Sequence, residues 1–219
     1  VGKFLELRVH EYTGTDLSMN PANYISGRQK MIPLNRPTAT ELANARRREF
    51  EFGRSGGSDA KPWTIKVDGG EGKYADPRVA SACPTVGDLE IWKFRNGGNG
   101  WTHPVHVHFE EAHYLTKDGR QPPEWERWAR KDMFRIGNKI ESAREIEVYI
   151  RIRDFAGTYV EHCHNTTHED MAMLLRWDSM RPGQTKPIAC PIPHWDGCET
   201  VETTALPTAV TGSGIGRGR

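Results

Sequence analysis

The sequence has no long hydrophobic segment and no excess of charge of either sign. None of its apolar runs approaches the roughly 20 residues of a transmembrane helix, so we expect no membrane span. The chain carries 30 Lys and Arg and 29 Asp and Glu, and this formal net charge of +1 argues against a broad basic surface for a nucleic acid. With 219 residues, the chain is long enough to bury a hydrophobic core.

Helical periodicity is nearly absent, and the sequence contains no internal repeat. Short segments read as strands that run into Gly and Pro turns, at 48–53, 64–70 and 87–98. In the clearest one, 145–153, the even-numbered residues are Ile or Val and the odd-numbered ones are Glu, Tyr or Arg. This pattern predicts a strand with one face in a core. Many short strands joined by turns predict an all-β, antiparallel sandwich or barrel.

Two segments rich in charge have simple structural interpretations. The three arginines of Arg46–Arg48 are expected to lie on a solvated face. Residues 122–132 are expected to form one short helix, because Trp125 and Trp128 are three apart among charged residues. We expect these two indoles to pack against the wall of the sandwich rather than to contact a substrate.

The histidines are unevenly distributed along the chain. Six of the nine lie in two short windows: His103, His106 and His108 in the first, and His162, His164 and His168 in the second. Because residues two apart share a face of a strand, His106 and His108 project together. We expect Pro104 to interrupt the strand ladder and His103 to point elsewhere.

In the second window a cysteine separates two histidines. The period of two places His162 and His164 on one face of a strand and Cys163 on the other. A single strand is therefore expected to serve two different sites, one on each side.

The softness of the ligands indicates which metal each site would take. A thiolate, two imidazoles and a weak thioether form a blue-copper set, and the matching residues are Cys163, His168, Met173 and His103. An all-imidazole cluster suits copper or zinc and can hold more than one ion. On the opposite face, such a cluster would consist of His106, His108, His162 and His164.

These signals differ in specificity. A single His-x-His also fits a zinc site or a cupin, although a cupin has its glutamate farther downstream than Glu110 or Glu111. His-Cys-His, with His at the fifth position and Met at the tenth position after the cysteine, is a strong signal that we interpret as copper. The isolated histidines are interpreted as surface or core residues without a role: His10, His113 and His194.

The segments HPVHVH (103–108) and HCHNTTHEDMAM (162–173) resemble two of the four copper-binding motifs of multicopper oxidases at every ligand position. This family includes laccases, bilirubin oxidases, the bacterial spore-coat laccase and bacterial manganese oxidases. The chain is similar to the C-terminal cupredoxin domain of these enzymes from about Val1 to Trp177. The resemblance implies a cupredoxin-like antiparallel Greek-key β-sandwich with long loops and a short helix.

The resemblance also implies a role for each residue. A type 1 copper would be bound by His103, Cys163 and His168, with Met173 as its axial ligand. His106 would bind the type 2 copper, and the type 3 pair would be bound by His108, His162 and His164. Cys163 would carry electrons between the sites, and Glu169 would deliver protons to the oxygen site.

Half of the family's trinuclear ligands are absent from this chain. That cluster needs two further His-x-His motifs, and the sequence contains no other. We therefore expect N-terminal multicopper oxidase domains, on another chain or in the missing part of the same precursor, to complete it. A stand-alone blue-copper electron carrier and a zinc or copper storage module are the competing interpretations.

The resemblance suggests how the chain is organised. Residues 1–37 would be a strand and linker from a preceding cupredoxin domain, 38–180 the copper-binding domain, and 181–219 an irregular tail. Because the sequence starts at Val1 without a signal peptide, we interpret it as a processed or excised piece. Export is expected from the family, and Cys190 and Cys198 could equally form a bridge or remain two reduced thiols.

The partners follow from the same resemblance. Dioxygen would be the electron acceptor, and the reductant could be a phenol, an aromatic amine, a tetrapyrrole or a metal ion such as Mn(II) or Cu(I). Electrons would enter at the exposed edge of a type 1 histidine, with the segment 125–132 shaping the entry.

Overall fold

The computed structural model describes residues 34–184 apart from 57, 99 and 138–142, together with residues 8, 10, 11 and 13–15. The chain divides into two compact units, residues 1–36 and residues 37–219. The strands and helices below belong to the second unit. Most of the strand and linker expected in residues 1–37, the cysteines Cys190 and Cys198, and most of the expected tail lie outside the described residues. The division into three segments stays a prediction.

Strands dominate the described part of the second unit. They are β1 (Arg46–Gly53), β2 (Thr64–Val67), β3 (Gly72–Lys73), β4 (Leu89–Asn96), β5 (His103–Val107), β6 (Ala112–Lys117), β7 (Met133–Ile136), β8 (Glu145–Arg151), β9 (Gly157–Cys163) and β10 (Leu174–Ser179). The helices are short: α1 (Ala39–Asn44), α2 (Glu124–Arg127) and α3 (Thr166–Asp170). None of these helices is long and apolar enough to cross a membrane.

The strands form two sheets, and the all-β prediction is confirmed. The first sheet has the order β3-β2-β1-β4-β8-β6, and the second has the order β10-β9-β5-β7. Pairing is antiparallel except between β1 and β4, which run in parallel. This parallel pair follows from the path of the β3–β4 connection. The connection crosses to the second sheet, where the Ser81 amide donates to the Arg176 carbonyl of β10, and the chain then returns to the first sheet with β4 running in the direction of β1.

A hydrophobic core lies between the two sheets, built from the apolar faces that the alternating patterns predicted. The even-numbered side chains of β8 are buried as expected. Trp92 of the first sheet meets Trp177 of the second with ring centroids 5.5 Å apart, and Phe94 stacks on Phe134 at 5.6 Å. Each fully buried large apolar side chain contributes about 1.5–3 kcal/mol to folding, so these contacts hold the sheets face to face.

Three local expectations are wrong. Arg48 is buried rather than solvated, because the side chain of Glu90 on the paired strand neutralises it. The helix α2 forms where expected, but Trp125 is 81% exposed and Trp128 is 44% exposed, so neither packs in the core. Pro104 does not interrupt the ladder: it lies within β5, opposite Arg135 of β7.

Candidate metal centres

Strand β9 serves two sites on opposite faces, as its sequence predicts. Its register against β5 places Cys163 beside Val105 and His162 beside His106. Cys163 faces the core and is fully buried, whereas His162 points to the outer face of the second sheet. His103 is also fully buried, because it shares the core-facing positions of β5 with Val105.

The core-facing site brings together one thiol and two imidazoles. The Cys163 Sγ lies 3.5 Å from His103 Nδ1 and 3.4 Å from His168 Nδ1. A sulfur at 2.3 Å and a nitrogen at 2.0–2.1 Å from one tetrahedral metal ion would be about 3.6 Å apart. The three ligand atoms are therefore spaced as the ligands of a single ion.

Helix α3 and the turn after it carry the remaining residues of this site. The Asn165 side chain caps the helix by accepting from the Thr167 amide at 3.1 Å. Ala172 has a φ of 74°, which turns the chain from α3 into β10. The Met173 amide donates to the His168 carbonyl at 3.0 Å, and the Cys163 amide donates to the Met173 carbonyl at 3.2 Å. Met173 is thus fully buried, with its backbone bonded to that of the cysteine, and its expected role as axial ligand stays a prediction.

Burial controls the protonation of these groups. Desolvation, with a smaller contribution from His168, lowers the pKa of His103 to about 4, and desolvation also lowers the pKa of His168. Both imidazoles are neutral near pH 7, as metal ligands must be. Desolvation raises the pKa of the Cys163 thiol to about 11, so a thiolate here requires a cation in place of its proton.

Two indoles cover the histidines of this site, a feature that sequence reasoning missed. The Trp63 ring centroid lies 3.9 Å from that of His168, and the Trp101 ring lies 5.4 Å from His168. Only 1% of His168 is exposed and His103 is fully buried, so the expected exposed histidine edge is wrong. The position of Trp101, two residues before His103, is the one sequence signal that could have pointed to this cover.

The second site lies on the outer face of the same sheet. His106, His108 and His162 each offer a ring nitrogen to one common point, and the Nε2 atoms of His108 and His162 are 3.1 Å apart. His164 follows the end of β9, and its ring centroid lies 5.7 Å from His106 and 5.3 Å from His162. All four expected imidazoles are therefore neighbours, with three of them convergent.

Acceptors around this cluster orient two of its rings. His106 Nδ1 donates to the Asp132 carbonyl at 3.0 Å, which leaves the lone pair on Nε2 for a metal. His162 Nδ1 lies 3.2 Å from a carboxylate oxygen of Glu169 and 3.4 Å from the Cys163 carbonyl. Desolvation lowers the pKa of both His108 and His162, which favours their neutral, ligating forms.

The remaining candidates lie elsewhere. The segment 125–132 ends beside His106 of the outer cluster, where the Asp132 carbonyl contacts His106 Nδ1, and its expected role at the electron entry stays a prediction. His113 is buried and contacts the Ala129 carbonyl through Nδ1, as expected of a satisfied core histidine. His194 lies outside the described residues. Cys83 is a free cysteine away from the metal ligands.

The donor chemistry of the two sites fits copper. A buried thiolate with two Nδ1 imidazoles is the donor set of a blue-copper site, and convergent imidazoles on the outer face suit further copper ions. At the core-facing site, desolvation lowers the pKa of both histidines, so loading there would require the loss of only the thiol proton.

Comparison with known proteins covers most of the described chain. The family model for multicopper oxidases matches residues 32–182. Bilirubin oxidase from Albifimbria verrucaria is 30% identical over 171 residues, which are 76% of this chain and 26% of that enzyme. Laccase from Bacillus subtilis is 27% identical over 148 residues, covering 54% of this chain and 28% of that enzyme. The chain thus spans about a quarter of the length of these relatives.

Solved structures show the same fold at low identity. A multicopper oxidase from Pediococcus acidilactici superposes with a TM-score of 0.54 at 18% identity, over 74% of this chain and 33% of that one. A metallo-oxidase from Campylobacter jejuni gives a TM-score of 0.52 at 19% identity, over 70% and 32% of the two chains. The cupredoxin-like sandwich is confirmed by these neighbours, and the match of the family model over residues 32–182 shows that the chain belongs to the multicopper oxidase family.

Proposed function

We propose that this chain is the C-terminal cupredoxin domain of a copper oxidase. Four one-electron oxidations of a reducing substrate at a type 1 copper would supply the electrons that, with four protons, reduce one dioxygen to two waters at a trinuclear cluster completed by another domain or chain. Copper is the cofactor of the family, and when bound it would supply the one-electron chemistry. The observation that carries the proposal is the pair of ligand clusters on the two faces of β9, separated by a single peptide bond between His162 and Cys163.

The core-facing cluster supports the type 1 assignment. His103, Cys163 and His168 hold their ligand atoms at the spacing of one ion, and Met173 is buried beside them. Burial keeps water away from the thiolate and limits movement of the rings. The chain's own contribution is thus a rigid and dry donor set.

The outer cluster supports a shared trinuclear site. Four imidazoles gather there, and we propose that His106 belongs to a type 2 site and the other three, His108, His162 and His164, to a type 3 pair. The chain spans about a quarter to a third of its relatives, so other domains of the same oxidase would supply the missing ligands. These domains, on a second chain or in the rest of the precursor, would dock on the outer face of the second sheet.

Glu169 is proposed to act at the outer cluster. Its carboxylate lies 3.2 Å from His162 Nδ1, so it can hold that ring in the tautomer that presents Nε2 to a metal. It is also 33% exposed, which allows it to exchange a proton with solvent and pass it toward bound dioxygen. Cys163, bonded through the backbone to His162, is proposed as the electron path between the clusters.

Copper counting and oxygen uptake test the proposal. The complete assembly should bind a type 1, a type 2 and a type 3 pair of coppers, show an intense thiolate-to-copper absorption band, and consume oxygen with phenols or Mn(II) as reductant. This chain alone should show the thiolate band without oxygen reduction. Oxygen reduction by the purified single chain would refute the shared cluster.

A stand-alone blue-copper carrier is the second candidate, because the core-facing cluster is complete within the chain. The carrier interpretation assigns no function to the imidazoles that gather on the outer face. Binding of a single copper ion by the full assembly would favour it, and a metal site without the thiolate band would favour storage. Export, expected from the family, can be tested by locating the protein in cell fractions.

A further inference from the structure

Both histidines of the core-facing site are closed off from solvent. Their Nδ1 atoms face the Cys163 sulfur, while the Nε2 atoms of His103 and His168 are buried and have no hydrogen-bond partner among the residues that the structure describes. A reductant cannot touch either imidazole without displacing the side chains that cover it. The route for electrons into this site therefore has to pass through another residue.

The covering indoles form a continuous path to the surface. Trp63 is 5% exposed, and its ring lies 3.9 Å from His168 at an interplanar angle of 34°. Trp101 contacts both partners edge to face, with its ring centroid 5.2 Å from Trp63 and 5.4 Å from His168. Trp101 is 45% exposed, so it joins the buried rings to solvent.

The loop that carries Trp101 is held in place from inside. The buried Asn96 side chain donates to the Trp101 carbonyl at 2.6 Å and accepts from the Gly98 amide at 2.8 Å. Gly98 and Gly100 have φ of 106° and 76°, which is the left-handed region where glycine is favoured. The backbone that carries the exposed indole is thus anchored to the core through Asn96.

We propose that reductants dock on Trp101 and that electrons reach the metal through Trp101, Trp63 and His168. This inference rests on the proposed function and names its entry point. In each transfer the docked reductant loses one electron, a phenol also releases its proton to solvent, and a type 1 copper(II) is reduced to copper(I). Neither indole is oxidised in the net reaction.

The chemistry of this surface selects the class of reductant. An indole face attracts planar aromatic rings but offers no ligand atom to a metal ion. The guanidinium of exposed Arg54 lies 5.9 Å from the Trp63 ring and adds positive charge beside the path. Electron-rich phenols and phenolates are therefore favoured over a hydrated metal ion such as Mn(II).

The test compares exposed tryptophans in the copper-loaded, full-length protein. Binding of 1,2-dimethoxybenzene, which acts as a redox-inert probe, is measured by saturation-transfer NMR. Anaerobic bleaching of the thiolate-to-copper band by 2,6-dimethoxyphenol is followed by stopped flow. Trp101→Leu should weaken probe binding about two- to tenfold and slow bleaching at least as much, as expected for the loss of an aromatic contact.

Two variants serve as controls. Trp101→Phe should stay near the wild type, and Trp125→Leu, which removes a more exposed indole on α2, should change neither readout. Unchanged or faster bleaching in Trp101→Leu would overturn the proposal, because electrons would then enter elsewhere. If Trp101→Leu fails to load copper, the test is made on the wild-type protein by following the indole N–H resonance of Trp101 as the probe is added. The proposal requires this resonance to shift, and an unchanged resonance overturns it.

These outcomes separate this proposal from the proposed function. A wild-type protein without the thiolate band refutes the copper oxidase itself. An intact band with no effect at Trp101 refutes only the docking surface.

Discussion

Removal of the Glu169 carboxylate should weaken copper binding at the outer cluster. The carboxylate lies 3.2 Å from His162 Nδ1, and substitution of such a partner of a metal-binding histidine typically lowers metal affinity 10–100-fold. Because Glu169 is 33% exposed, solvent screens the interaction, and the Cys163 carbonyl still accepts from the same nitrogen at 3.4 Å. We therefore expect Glu169→Gln to lower copper affinity by the smallest amount in this range, about tenfold, which corresponds to about 1.4 kcal/mol of binding free energy.

The assay is a copper competition titration of the complete assembly against a chelator, followed by oxygen uptake across pH. The thiolate-to-copper band should persist, since the Glu169 carboxylate contacts His162 of the outer cluster and is not a ligand of the core-facing site. Asp170→Asn, one residue along α3, is the matched control and should leave affinity and turnover unchanged. If Glu169→Gln has the affinity, turnover and pH dependence of the wild type, both proposed roles of the carboxylate are wrong.

Two further substitutions test the remaining parts of the structure. Cys163→Ser should abolish the thiolate-to-copper band, whereas Cys83→Ser, at the other free cysteine of the described residues, should leave the band at full intensity. Loss of the band in both variants would contradict the assignment. Glu90→Gln should lower the free energy of unfolding by about 3–5 kcal/mol, because it leaves a buried arginine charge without its partner. Asp76→Asn, at the exposed ion pair with Arg78, should lower the free energy of unfolding by less than about 1 kcal/mol. Both variants are measured by urea titration, and equal effects would show that burial is not the deciding factor.

Short-range patterns predicted the strands and the division of ligands between two faces. The period of two places Cys163 opposite its neighbouring histidines in any strand, whatever that strand pairs with. His103 reaches the thiol for the same reason, as a core-facing residue of β5, and needs no interruption at Pro104. The local alternation of residues was therefore sufficient to predict on which face of its strand each of these side chains lies.

Contacts distant in sequence could not be predicted in this way. From the sequence alone, Arg48 is interpreted as one of three surface arginines. The pairing of β1 with β4 brings the Glu90 carboxylate within 2.6 Å of its guanidinium. Trp125 and Trp128 have helical spacing, but whether an indole on a single turn is covered depends on what packs above it. Such outcomes depend on register and on loop paths, which the local pattern does not encode.

The sequence by itself determined the donor atoms of this protein and their spacing along two strands, because those depend only on residue type and strand period. Only the tertiary structure decided that the Nδ1 atoms of His103 and His168 meet the Cys163 sulfur, since the register of β5 against β9 brings them together. It also decided that Trp63, more than a hundred residues from His168 in sequence, closes that site to solvent. Ligand identity is a local property, whereas access to a buried site depends on packing between distant segments.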